Sequence, residues 1–165
     1  MLTNKQIEIL ILIYRFRFLN RVQIQKLLNH KKYNRIIVWL NELTENKYLN
    51  RYTPVRFKNV SSIYSLGTES REYFKNNKND SIQVELLSRV WKERQYSIKF
   101  RNHCTLLADT YISLLLLVKQ TNAKLHFHTK TDLSKMKYLV QPEPDATRPP
   151  TRSPRHSATH RRYLT

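Results

Sequence analysis

Apolar residues recur at helical spacing near the start of the chain. Thr3 and Gln6 form a capping box, in which the Thr3 hydroxyl accepts from the third helical N–H and the Gln6 side chain reaches back. Beyond this box, apolar side chains follow the i, i+3, i+4, i+7 spacing of one buried helical face. They are Ile7, Leu10, Ile11 and Tyr14. The pattern predicts a first amphipathic helix.

The same arrangement repeats at Asn20, with Gln23 in the reciprocal place. A second helix should follow, with Ile24, Leu27 and Leu28 facing inward. After a short link, a third helix is predicted over Lys32–Glu45, and Asn46 should end it in the left-handed conformation. Its apolar stripe comprises Ile36, Ile37, Leu40 and Leu43, with Trp39 beside it as a core residue.

Two β-like segments come next, Lys47–Tyr52 and Ser62–Leu66, on either side of a polar loop. A short helix from Gly67 to Asn76 should follow. Three helices, a β-hairpin and a return helix predict a winged helix-turn-helix domain over residues 1–78. The expected fold class is therefore mainly α with a small β-hairpin wing and a helical C-terminal extension.

The extension, residues 79–140, should contain helices over Ile82–Glu93 and from Phe100 to Gln120. The second of these is apolar on nearly every side through Tyr111–Val118, so it must be buried in this chain's core or against a second copy. We expect a homodimer, or else a truncated second domain. A strand over Lys124–Lys130 and a short helix over Asp132–Lys137 are also predicted.

The composition changes at Gln141, beyond which five of the six prolines lie. This segment, 141–165, is too poor in apolar residues to offset its ordering entropy, so we expect a disordered basic tail. It is either a native basic arm or foreign coding sequence joined to a shortened domain.

The net charge of the chain narrows the range of possible functions. The 165 residues include 30 Lys+Arg against 12 Asp+Glu, a net charge of +18. The excess pervades the part expected to fold, which favours a polyanionic partner such as nucleic acid. One cysteine suits a reducing cytoplasm, and no apolar run is long enough to cross a membrane. A single glycine excludes the usual phosphate-binding loops, and we expect no cofactor and no metal.

In a winged helix, the third helix enters the major groove of double-stranded DNA with its first turns. Asparagine can bond adenine, arginine can bond guanine, and lysine neutralises phosphate. Arginines around the start of the second helix, Arg15, Arg17 and Arg21, would meet the DNA backbone. The expected DNA-binding residues are Arg21, Lys31, Lys32, Asn34, Arg35 and Asn41, with Arg56 and Lys58 at the wing tip.

The run LTNKQIEIL…YRFRFLNRVQIQKLL…NRIIVWLNELTENKYLNR…SSIYSLG resembles the replication-relaxation family of bacterial plasmids and mobile elements. The resemblance covers about residues 1–75 and continues more weakly to about 146. It implies DNA binding in plasmid replication, copy control or transfer, with plasmid replication or transfer proteins as possible partners. Transcriptional regulators of the MarR and PadR types share this architecture and remain an alternative.

Three enzymatic alternatives are weaker than a non-enzymatic binding protein. His126 and His128 on a strand, with Tyr96 as nucleophile, would suit a metal-dependent nickase, but Tyr96 precedes the histidine pair instead of following it. The family resemblance implies that Asp145 could belong to the opening strand of a nuclease-like domain, but no later carboxylate or lysine could complete such a site. Cys104 next to His103 points about 100° away from it on a helix, so a buried structural cysteine is expected.

Overall fold

The chain is mainly helical and carries one small antiparallel sheet in a computed structural model. The structure describes residues 1–53, 61–77, 79–121 and 123–139. Seven helices lie in these ranges: α1 Asn4–Phe16, α2 Arg21–Leu27, α3 Tyr33–Glu45, α4 Thr68–Asn76, α5 Val84–Glu93, α6 Ile98–Thr121 and α7 Lys130–Leu139.

The described part of the sheet has three strands, β1 (Leu19–Asn20), β2 (Leu49–Tyr52) and β3 (Ile63–Leu66). The central strand is β3, which pairs antiparallel with both others. The two predicted strands are confirmed within one or two residues at their ends. The third, β1, has only two residues and was not expected.

Both predicted capping boxes are confirmed. The Gln6 N–H donates to the Thr3 hydroxyl over 3.3 Å, and the Thr3 N–H donates to Gln6 Oε1 over 2.9 Å. Asn20 and Gln23 exchange the same two hydrogen bonds, each of 2.9 Å. These boxes set where α1 and α2 begin.

The buried face of α1 differs from the predicted one. Ile9 and Ile13 are fully buried, whereas the expected Ile7 and Ile11 are only partly covered. The helix is apolar at most of its positions, and α2, α6, α7 and β3 all pack against it. Because partners lie on several sides, the predicted single stripe is too narrow.

The stripe of α3 is confirmed at Ile36, Leu40 and Leu43, which are almost fully buried, whereas the predicted Ile37 is only partly covered. Trp39 also lies in the core. The predicted last residue, Glu45, is confirmed, but the left-handed residue that follows was predicted one position too early. Asn46 keeps a negative φ, and Lys47 takes the left-handed conformation with φ 58°. The Tyr48 N–H then donates to the Leu43 carbonyl over 2.8 Å, which closes the helix as a Schellman motif.

The later helices extend the same core. Leu86, Leu87 and Val90 of α5 and Ala108 of α6 belong to the cluster that α1 and α3 form. The helices α5 and α6 are confirmed within about two residues, and α7 is longer than predicted. The predicted strand over 124–130 is wrong, because residues 123–129 have no regular structure.

Only one face of α6 is buried, at Cys104, Ala108 and Ile112. On its other sides several leucines are exposed to solvent, namely Leu106, Leu107, Leu116 and Leu117. The expectation that this helix must be covered on nearly every side is therefore not met within the single chain. The predicted wing tip with Arg56 and Lys58, and the tail 141–165 with Asp145, lie outside the described residues.

Candidate nucleic-acid interface

The turn between α2 and α3 is held by its own side chains. Asn29 takes the left-handed conformation, with φ 49°, which asparagine tolerates. Gln25 Nε2 donates to the His30 carbonyl over 3.1 Å, and the His30 ring packs edge-on against Trp39, with 5.1 Å between centroids. The backbone leading into α3 is therefore fixed to the core, while Lys31 and Lys32 extend into solvent.

The N-terminal end of α3 is open and positively charged. Lys32 is the N-cap, no side chain caps the first N–H groups, and no acidic residue lies in the first turn. The uncapped N–H groups and the helix dipole favour negative charge at this end. Lys31, Lys32 and Arg35 are exposed, and none of them takes part in an ion pair with another described residue.

The predicted residues of α3 lie on two different sides of the helix. At 100° per residue, Asn34 and Asn41 fall within about 20° of each other, with Val38 between them along the same ridge. Arg35 lies about 100° from Asn34, and its guanidinium carbon is 5.4 Å from the Trp39 ring centroid. The asparagines therefore form one exposed row, and Arg35 borders it.

Arg21 is placed beside this helix by Tyr33. The guanidinium carbon of Arg21 lies 4.1 Å from the centroid of the Tyr33 ring, and Arg21 Nη1 also donates to the Tyr33 hydroxyl. Stacking and the hydrogen bond restrict the arginine without neutralising it. Tyr33 was missed by the sequence analysis, although its place as the first residue of α3, next to Lys32, could have suggested it.

Arg15 and Arg17 do not belong to this surface, contrary to expectation. Arg17 is 8% exposed, and its Nε lies 3.2 Å from a carboxylate oxygen of buried Glu93. Burial lowers the pKa of Arg17, and the charge of Glu93 opposes that effect. Arg15 Nε donates to Asp132 Oδ2 over 3.0 Å. Both arginines hold the extension against α1.

Asp132 also stabilises the start of α7, where it is the third helical residue. Its Oδ2 accepts from the Thr129 N–H over 2.8 Å and from the Thr129 hydroxyl over 3.0 Å. Burial alone would raise the pKa of Asp132, but the Thr129 N–H bond and the charge of Arg15 outweigh it, so the pKa lies below its usual value. The carboxylate is thus ionised and paired at neutral pH.

The residues that a nickase would use are not arranged as the sequence analysis predicted. His126 and His128 are exposed on a segment that is not a strand, so the alternation that would direct both rings to one side is missing. Phe127 between them packs on Tyr111, with centroids 5.0 Å apart, and its carbonyl accepts from Arg15 Nη2. Tyr96 is exposed and packs edge-on against Phe100.

Cys104 is a buried structural residue, as predicted. It is 4% exposed, and it packs with Phe18 and Ile63. Burial, and next the charge of Glu93, raise the pKa of the Cys104 thiol to about 11. His103 beside it is exposed, so the two side chains point into different surroundings.

Comparison of the chain with protein-family models gives no matching family, and comparison with curated proteins gives no match. Within the described ranges, no three or more His, Cys, Asp or Glu side chains lie together in a way that could hold a metal ion. None of the described helices has both the length and the apolar character needed to cross a bilayer.

Proposed function

We propose that this chain is a winged-helix protein that binds double-stranded DNA by inserting the start of α3 into the major groove. The observation that carries the proposal is the set of exposed cations at that helix end, which form no ion pair with any described residue, with no carboxylate in the first turn. Lys31 and Lys32 would neutralise phosphates, and Asn34, Arg35 and Asn41 would meet base edges.

The order of the elements supports the winged-helix assignment. Helix α1, strand β1, helices α2 and α3, and then β2 and β3 follow one another as they do in winged-helix domains. The inner face of α3 is fixed by Ile36, Leu40 and Leu43, so its outer face has a defined orientation. A rigid recognition helix loses little conformational entropy when it binds.

Two further contacts extend this proposed surface. Arg21, stacked on Tyr33 at the start of α2, is placed to bind a backbone phosphate where α2 approaches the groove. Arg56 and Lys58 would reach the backbone or the narrow groove from the wing.

The biological setting of the proposal comes from the resemblance to the replication-relaxation family. That resemblance supports a role in the replication, copy control or transfer of a bacterial plasmid or mobile element, in the cytoplasm. A transcriptional regulator would use the same surface on an operator. In either case the chain acts by binding, and we assign it no catalytic step.

We also propose that the protein acts as a homodimer through α6. This helix has 24 residues, so it is about 36 Å long. Leu106 and Leu117, both more than half exposed, lie near the middle of its uncovered side. Two copies crossing about a two-fold axis would cover these leucines with each other.

A retardation experiment with a matched control tests the DNA proposal. Substituting Lys32, Asn34 and Arg35 together by alanine should abolish retardation of duplex DNA. The control variant Lys5→Ala/Lys75→Ala also removes two positive charges, one from α1 and one from α4. Each of these lysines pairs with a nearby glutamate, and this variant should bind DNA normally. If the triple variant retards DNA as the wild type does, α3 is not the binding element, and a basic surface for an acidic protein partner becomes the better explanation.

A further inference from the structure

An apolar side chain lies in the middle of the exposed row of α3. Val38 is 42% exposed, and it follows Asn34 by one turn and precedes Asn41 by another on the same ridge. The core-facing side of this part of α3 is formed by Ile36 and Leu40, which are buried. Val38 lies outside the core, so packing of the core does not require a valine at this position.

The surface around Val38 is concave. An open depression of about 460 Å³ is lined by Lys32, Tyr33, Asn34, Arg35 and Val38. Tyr33 and Val38 give it apolar walls, while two cations and an amide surround them. This arrangement suits a group that is apolar itself and lies next to negative charge and hydrogen-bonding atoms.

One base in DNA presents such a group in the major groove. Thymine carries a C5 methyl there, beside its O4 acceptor, and its adenine partner presents N7 and N6. A valine side chain can pack on the methyl but cannot form a hydrogen bond to any base. Asparagine can bond adenine N6 and N7 together.

We propose that Val38 packs against a thymine methyl while Asn34 and Asn41 read adenines on either side, so that the preferred site contains A·T pairs under α3. This inference rests on the proposed DNA-binding function and adds the sequence class that the helix reads.

The acidic residues of α3 limit the contact to the part of the helix before Glu42. Glu42 and Glu45 lie at its C-terminal end, and Glu42 accepts a 2.7 Å hydrogen bond from Gln6 Nε2. Carboxylates repel the phosphate backbone, so the end of α3 from Glu42 onward should point away from the duplex. The row from Asn34 to Asn41 is then the part that reaches the bases.

The test begins with selection of bound sequences from random duplex DNA by the full-length protein. In the selected duplex, uracil then replaces each thymine in turn, which removes only the C5 methyl. At one thymine or more, the wild-type affinity should fall about three- to fivefold, the loss expected for one buried methyl. Adenine preference next to that thymine should weaken in Asn34→Ala or Asn41→Ala.

A variant of Val38 and a control variant show whether Val38 causes the discrimination between thymine and uracil. Val38→Ala should bind thymine and uracil duplexes about equally. Val84→Ala, at a valine of α5 that is 40% exposed, should keep the wild-type discrimination. Selected sites without A·T pairs, or equal wild-type affinity for thymine and uracil at every position, would overturn the inference while leaving DNA binding intact. Recovery of no DNA at all would instead refute the proposed function.

Discussion

Cationic side chains that are close in sequence meet different surroundings in this protein. Arg15 and Arg17 are paired with carboxylates and hold separate parts of the chain together. Lys32 and Arg35, which follow soon after them in the sequence, are exposed and have no ion pair with a described residue. Charge count alone therefore does not identify the ligand surface, because part of the positive charge is used within the fold.

The Arg17–Glu93 pair should be essential for stability. Both side chains are under 10% exposed, and their charged atoms are 3.2 Å apart. Arg17→Ala would leave the buried Glu93 carboxylate with only Arg89, which is about half exposed and lies 3.8 Å away. The free energy of unfolding should therefore fall by about 3–5 kcal/mol. Urea denaturation measures this loss. Arg17→Met combined with Glu93→Leu should recover much of it, and a single variant as stable as the wild type would contradict the pairing.

Cys104 should be slow to react while the protein is folded. Its thiol has a pKa of about 11 and is almost completely buried, so little thiolate exists at pH 8 and reagents cannot reach it. A disulfide reagent such as Ellman's should react far more slowly with native protein than with protein in urea. Equal rates in the two conditions would show that Cys104 is not buried against Phe18 and Ile63.

At the scale of single elements, local signals were the most reliable guide from sequence to structure. The capping boxes at Thr3 and Asn20 were predicted correctly because both partners lie within three residues. The buried face of α1 was not predicted correctly, since α1 is apolar at most of its positions and only its neighbours decide which side is covered.

The predictions from sequence were wrong where the structure of a segment depends on a residue far away in the chain. The alternation around His126 predicted a strand, but this segment is held instead by Arg15, which binds the Phe127 carbonyl. In the same way, β1 exists only because Leu19 and Asn20 pair with β3.

The candidate site was predictable in outline. Exposure of Lys32, Asn34 and Asn41 follows from helical periodicity. The stacking of Arg21 on Tyr33 and the approach of Arg35 to Trp39 depend on how α2 and α3 pack, which the sequence pattern does not specify.

Gly67 should be required at the junction between β3 and α4. A Cβ on this residue would lie 2.1 Å from the Lys47 carbonyl oxygen and 2.8 Å from the Tyr48 carbonyl carbon, both backbone atoms. Since backbone cannot move aside as a flexible side chain does, Gly67→Ala should destabilise the fold by about 1–3 kcal/mol. Thermal unfolding checks this value, and an unchanged midpoint would contradict the close approach.

At the scale of the whole molecule, the exposed leucines of α6 are the residues through which the proposed homodimer can be tested. In Leu106→Glu/Leu117→Glu, two charges would have to be buried in the proposed interface, so the dimer should dissociate while the helix content stays the same. Sedimentation velocity at moderate salt, with circular dichroism, measures both properties.

Leu133→Glu is the control for the dimer, because Leu133 is 49% exposed on α7. This variant should remain dimeric. A wild-type protein that sediments as a monomer at high micromolar concentration would refute the proposed interface.

The net charge of +18 makes the salt dependence of DNA affinity the most direct test of the central claim. If about six phosphates are neutralised, log affinity for duplex DNA should fall with log salt at a slope near −5. Lys31→Ala/Lys32→Ala should bring that slope to about −3, because the two lysines assigned to phosphates are lost. Lys5→Ala/Lys75→Ala should leave it at the wild-type value. A flat salt response, or equal slopes for the two double variants, would contradict DNA binding through α3.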